Sequence, residues 1–140
     1  MHITKRQIDT TDRRRLLIID DDLDWTEVLQ VYFLDKYDVV VVNSAEDALE
    51  RIHFVQPDAL ILDLVMPAMD GFGVLRRLSD AGRAPIPTIL LTGWMTTQVE
   101  QCAAAFGCVT VLAKPVELPI LGQVVSAIVR SKEAKLARVT

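Results

Sequence analysis

Pro57-Asp58-Ala59-Leu60-Ile61-Leu62-Asp63-Leu64-Val65-Met66-Pro67-Ala68-Met69-Asp70-Gly71 is the stretch that decides the fold. Ala59 to Leu62 reads as a strand buried on both faces, because it is apolar throughout rather than at alternate positions. A proline-glycine turn closes it. Between strand and turn stands Asp63, a carboxylate that packing alone does not explain. Buried without a partner, it would be destabilising by several kcal/mol or would take up a proton. Two other segments have the same form. Leu16-Leu17-Ile18-Ile19 runs into Asp20-Asp21-Asp22, and Val111-Leu112-Ala113 runs into Lys114-Pro115. Acids and a lysine at the ends of apolar runs point to a metal and phosphate site.

Outward from this stretch, apolar runs alternate with helical patterns. Leu16 to Ile19 and Val39 to Val42 read as strands, as do Thr88 to Leu91 and Val109 to Leu112. Asp24 to Leu34 is predicted as a helix with Trp25, Val28, Leu29, Tyr32 and Phe33 on one face. Ser44 is the expected N-cap of the next helix, with Asp47 in a box-like pattern and Ala45, Ala48, Leu49 and Ile52 turned inward. After Gly71 a helix buries Phe72, Leu75 and Leu78. Val99, Cys102, Ala103 and Phe106 line another, which Gly107 stops. The last carries Ile120, Leu121, Val124, Val125 and Ile128, with Pro119 in its first turn.

Five such βα units predict an α/β fold: a flavodoxin-like, doubly wound, five-stranded parallel sheet of order 2-1-3-4-5 with helices on both faces. Ligands of such sheets bind beyond the carboxyl ends of the strands. Asp20, Asp21, Asp63, Thr92 and Lys114 are all expected there.

The chain has 140 residues, of which 51% are hydrophobic, enough for one domain with a real core. Residues 1–12 are read as a flexible N-terminal arm, 13–131 as the domain, and 132–140 as a C-terminal tail or linker start. With 19 acidic residues against 15 Lys and Arg, and a net charge of -4, nothing pulls the whole chain toward nucleic acid or an anionic membrane. Arg13-Arg14-Arg15 leads into the first strand, and the basic residues near the C-terminus read as a solvated face. Cys102 and Cys108 lack a CxxC pattern or a histidine at metal-ligand spacing, so they are read as reduced thiols. His2 and His53 are read as facing solvent. No apolar run is long enough to span a bilayer, and the N-terminus lacks the apolar core of a signal peptide. The expected location is the cytoplasm.

From about Arg14 to Arg130 the chain resembles the receiver domain of two-component response regulators. The residues that carry the likeness are Asp20-Asp21, the stretch Asp63-x-x-Met66-Pro67-x-Met69-Asp70-Gly71, Thr92 and Lys114-Pro115. The resemblance implies a phosphoacceptor switch of a phosphorelay, loaded from a phosphohistidine on a sensor histidine kinase or histidine phosphotransfer protein. Asp63 is then the phosphoacceptor. Mg2+ is held by Asp20, Asp21, Asp63 and the backbone carbonyl of Val65, with Asp21 the direct ligand and Asp20 direct or through a water. Lys114 pairs with Asp63 at rest and Thr92 turns to the phosphoryl group on loading. Pro115 follows a cis bond, and Gly71 is structural. Output passes to a partner or effector domain that the chain does not name, with no direct nucleic-acid or membrane binding by this domain. It is not an enzyme beyond self-phosphorylation and weak self-dephosphorylation.

Two departures stand out. The family's aromatic residue in the fifth strand is here Val111, and the residue after the switch threonine is Gly93 where alanine is common. Val65 and Trp94 flank the expected phosphoryl position and are both apolar, so slow self-hydrolysis is expected. Competing readings are a degenerate receiver that binds a partner without phosphorylation, supported by Val111, and an aspartyl-phosphate hydrolase. The hydrolase would need a second acid where Val65 stands.

Overall fold

A computed structural model describes residues 13–107 and 109–139. The expected arm at 1–12, with His2, and Cys108 lie outside the described residues. Five strands, β1 (Arg15–Ile19), β2 (Asp38–Val42), β3 (Ala59–Asp63), β4 (Thr88–Thr92) and β5 (Val109–Ala113), form one parallel sheet of order β2-β1-β3-β4-β5. The helices are α1 (Leu23–Phe33), α2 (Ala45–Val55), α3 (Gly71–Asp80), α4 (Thr97–Ala104) and α5 (Leu118–Val139). The doubly wound fold is therefore as expected.

The sheet divides two cores, which is why its central strands are apolar at every position. Leu17, Ile19, Leu60, Leu62 and Leu90 face α2, α3 and α4, where Ala48, Ile52, Val74 and Leu78 meet them. Leu16, Ile18, Ile61, Ile89 and Leu91 face the other way, onto Leu29, Phe33, Leu121, Val125 and Val129 of α1 and α5. Ser44 caps α2 as expected, its hydroxyl accepting from the Asp47 amide at 3.1 Å.

Helix faces depart from expectation in places. The inner face of α1 is Thr26, Leu29 and Phe33, while Val28 and Tyr32 are exposed. Thr26 can lie inside because its hydroxyl donates to the Leu23 carbonyl and accepts from Asn43. On α5, Ile120 is exposed and Val129 is buried instead. Only Ala103 of α4 is fully buried; Val99 and Phe106 pack from its margin, and Cys102 is a half-buried free thiol.

The helix α5 runs through Val139, across the stretch read as a tail from residue 132. Its far end is tied to the amino end of the sheet. Lys132 Nζ lies 3.1 Å from Asp58 Oδ1, and Arg14 Nε lies 3.1 Å from Glu133 Oε1. The three consecutive arginines each hold a different element. Arg13 donates to the Leu34 carbonyl at the end of α1, Arg15 to the Val55 carbonyl at the end of α2, and Arg14 reaches α5. Guanidinium groups at carbonyl-rich helix ends suit the local dipole. His53 is exposed as expected, but the Arg83 guanidinium lies against its Nδ1.

Candidate functional site

Asp63 is the last residue of β3, Thr92 the last of β4, and Lys114 the first after β5, so parallel register brings them to one edge. Asp20 follows β1 directly. Asp63 and Asp20 are buried, at 7% and 2% exposure, and Asp21 is exposed. One oxygen from each of these three carboxylates lies within 4.8 Å of the others.

Lys114 stands between two of the acids. Its Nζ is 3.1 Å from Asp63 Oδ1 and 3.1 Å from Asp20 Oδ2. The contact with Asp63 was expected; the bridge to Asp20 was not. Burial raises the Asp63 pKa above the ordinary carboxylate value, and the charge of Asp20 adds to that rise against the opposing pull of Lys114 and the Val65 amide. Burial alone would weaken the Lys114 proton, but Asp20 and Asp63 outweigh it and raise the pKa. One firmly held ammonium thus bridges two of the three clustered carboxylates. The remaining negative charge and the hard oxygen donors suit a small divalent cation.

The surroundings fix these groups. The free Asp20 oxygen, Oδ1, accepts from the Asp22 amide at 2.9 Å, and the Asp22 side chain in turn caps α1 through the Trp25 amide. Asn43 donates to the Asp20 carbonyl at 2.8 Å, a support that the sequence reading missed. It sits at the end of β2, where a strand-end polar residue was the available signal. Gly71 is required by space: a Cβ there would lie 2.8 Å from the Asp63 carbonyl oxygen and 2.9 Å from Leu90 Cδ1. Its amide donates to the Leu64 carbonyl at 2.7 Å, and Asp70 caps α3 through the Gly73 amide. The Lys114-Pro115 bond is cis.

The rim is apolar. Val65 is 67% exposed and Trp94 77% exposed. Thr92 is fully buried; its Oγ1 accepts from the Trp94 amide at 3.0 Å, and its carbonyl accepts from the Lys114 amide at 2.7 Å. Val111 is half-buried and packs on the core beneath α2, α3 and α4.

A doubly wound parallel sheet with an acid cluster, a lysine and a threonine at its carboxyl edge is the architecture of a phosphoryl-accepting signalling domain. A model of the response regulator receiver domain matches residues 16–126, and the chain belongs to that family of signalling switches. Protein-glutamate methylesterase/protein-glutamine glutaminase 5 of Myxococcus xanthus is 33% identical over 132 residues, covering 89% of this chain and 38% of that protein. The DNA-binding response regulator MtrA of Mycobacterium bovis is 34% identical over 84 residues, covering 59% of this chain and 36% of that protein. The chain therefore spans well under half the length of either relative. A two-component response regulator from Clostridium difficile superposes with a TM-score of 0.77 at 25% identity, covering 84% of this chain and 97% of that one. Among the described residues no helix is long and apolar enough to cross a membrane.

Proposed function

We propose that Asp63 is the phosphoacceptor of this receiver and Lys114 its charge partner. The observation that carries this is the Lys114 ammonium 3.1 Å from a buried strand-end carboxylate whose proton affinity is raised. A carboxylate oxygen of Asp63 attacks phosphorus, the phosphorus–nitrogen bond of a phosphohistidine breaks, and the imidazole leaves with the bonding pair. An anion approaching an anion needs fixed positive charge, which Lys114 supplies at the point of attack. Asp20, Asp21, Asp63 and the Val65 carbonyl would hold Mg2+, whose chemistry is to neutralise phosphoryl oxygens. Thr92 offers a buried hydroxyl to another oxygen of the transferred group. Val65, where a hydrolase would need an acid, carries none.

The donor is a sensor histidine kinase or a histidine phosphotransfer protein in the cytoplasm. Its docking surface is the outer face of α1, which exposes Leu23, Val28 and Val31, together with the loops around the acidic edge next to which that helix starts. Residues 13–131 form the working domain, and output goes to a partner or effector domain.

The test is intact mass after incubation with a small acyl-phosphate donor, with and without Mg2+. The wild type gains one phosphoryl group only with the metal, and Asp63→Asn gains none. A gain by Asp63→Asn, or none by the wild type, overturns the assignment.

A further inference from the structure

The Thr92 hydroxyl is only half engaged. It is fully buried and accepts from the Trp94 amide, yet its own proton has no acceptor among the described residues. A hydroxyl has one donor and two acceptor sites, and a buried donor left unmet is destabilising. An anionic oxygen arriving at Asp63 would provide the missing acceptor, and the hydroxyl must turn to meet it.

The neighbours of Thr92 decide which atoms move with that turn. Its own backbone is pinned through the carbonyl to the Lys114 amide at 2.7 Å. The side chain of Trp94 and the backbone of Gly93 are not held in this way. Gly93 is exposed, and a Cβ placed there would meet nothing within 4 Å. Trp94 is tied to the site through its amide while its indole stands in solvent at 77% exposure. Position 111 holds a β-branched valine packed in the core, which is stiff about χ1 and has no ring to rotate.

We infer that Trp94 is the residue through which this domain displays the state of Asp63: the Thr92 hydroxyl draws the Trp94 amide toward the loaded carboxylate, and the indole folds down over the site against exposed Val65. This rests on Asp63 being the phosphoacceptor. The aromatic signal is thereby moved from the fifth strand to the loop after the fourth. The cover is apolar on both sides, so the indole that reports loading also screens the acyl phosphate from water.

The test uses the full chain with Trp25→Phe, so that Trp94 is the only fluorophore of its kind. Beryllofluoride with Mg2+, and separately the acyl-phosphate donor, are added while intact mass is followed in parallel. The emission maximum shifts to the blue and acrylamide quenching falls. Thr92→Ser keeps the response, and Thr92→Val, whose uptake is slower, lacks it when the two are compared at matched phosphoryl mass after longer incubation. Full phosphorylation with unchanged Trp94 quenching overturns the inference and leaves the phosphoacceptor reading standing. A persisting response in Thr92→Val overturns the route through the hydroxyl. No mass gain in the Trp25→Phe protein and none in the wild type overturns both.

Discussion

Gly71→Ala should be far more damaging than a single methyl group suggests. The added carbon would sit 2.8 Å from the Asp63 carbonyl oxygen, 2.9 Å from Leu90 Cδ1 and 3.2 Å from Leu64 Cα. Comfortable contact begins at about 3.5 Å, so three neighbours are overlapped at once. Two of them are backbone atoms in or next to a central strand and cannot swing aside. Overpacking of this kind is destabilising by about 1–3 kcal/mol. For a domain of this size that is a melting temperature lower by roughly 3–10 °C. Gly73→Ala is the internal control. Its new carbon meets Met69 Cγ at 2.6 Å, part of a flexible side chain, and alanine favours the helix over glycine by roughly 0.5–1 kcal/mol. Urea unfolding measures both, read as a change in midpoint at constant slope. Gly71→Ala should fall well below wild type and Gly73→Ala should stay within about 1 kcal/mol of it. Because the displaced atom belongs to Asp63 itself, phosphoryl uptake by the folded Gly71→Ala protein should slow too. Equal midpoints for the two variants would refute the steric argument.

Asp63→Asn should melt higher than wild type at pH 7. The raised Asp63 pKa means that ionisation burdens the folded state, fully so above the folded value and not at all below the ordinary 3.8, so the gap between the two proteins should close as pH falls through that window. A variant no more stable than wild type at neutral pH contradicts this. Asp58 has the opposite sign. Burial opposes its charge, but the Arg15 amide and Lys132 outweigh that and hold its pKa below 3.8. Asp58→Asn should therefore be destabilised at neutral pH, with the loss vanishing as pH falls below 3.8 and through the folded value; a pH-independent difference in urea midpoint counts against the Lys132 tie. Mg2+ should raise the melting temperature by mass action, by about 2.7 kcal/mol of stability at a hundredfold excess over Kd, and Asp21→Ala should largely lose the effect. Equal shifts in both proteins would place the ion elsewhere. The phosphoaspartate should hydrolyse slowly, since Val65 and Trp94 hold no attacking water; decay within seconds in Mg2+ buffer sinks that expectation.

The central strands were legible because burial on both faces leaves no polar position in β1, β3 or β4 between their ends. Asp20 and Asp63 were legible for the same reason, having no packing role after such runs, whereas Lys114 follows the partly buried edge strand β5 and was legible from its Lys-Pro pair after Val111-Leu112-Ala113. Helix faces were harder. Thr26 looks polar in sequence yet is satisfied by Leu23 and Asn43, whereas Val28 and Tyr32 look like core and stand outside. An apolar outer face has the same composition as an inner one, and only packing separates them. Asn43 and the Lys114–Asp20 bridge depend on contacts between strand ends far apart in the chain. Lys132 and Glu133 looked like tail residues because their partners, Asp58 and Arg14, lie far away in the sequence.

Asp20 serves two masters with one carboxylate. Its Oδ1 holds the amide at the start of α1, and its Oδ2 holds the Lys114 ammonium. The start of α1 and the ammonium of the site are therefore joined at one residue. Any turn of Lys114 away from Asp20 would leave that carboxylate more negative and so a stronger acceptor for the Asp22 amide, which couples the charge balance of the acid cluster to the first turn of α1.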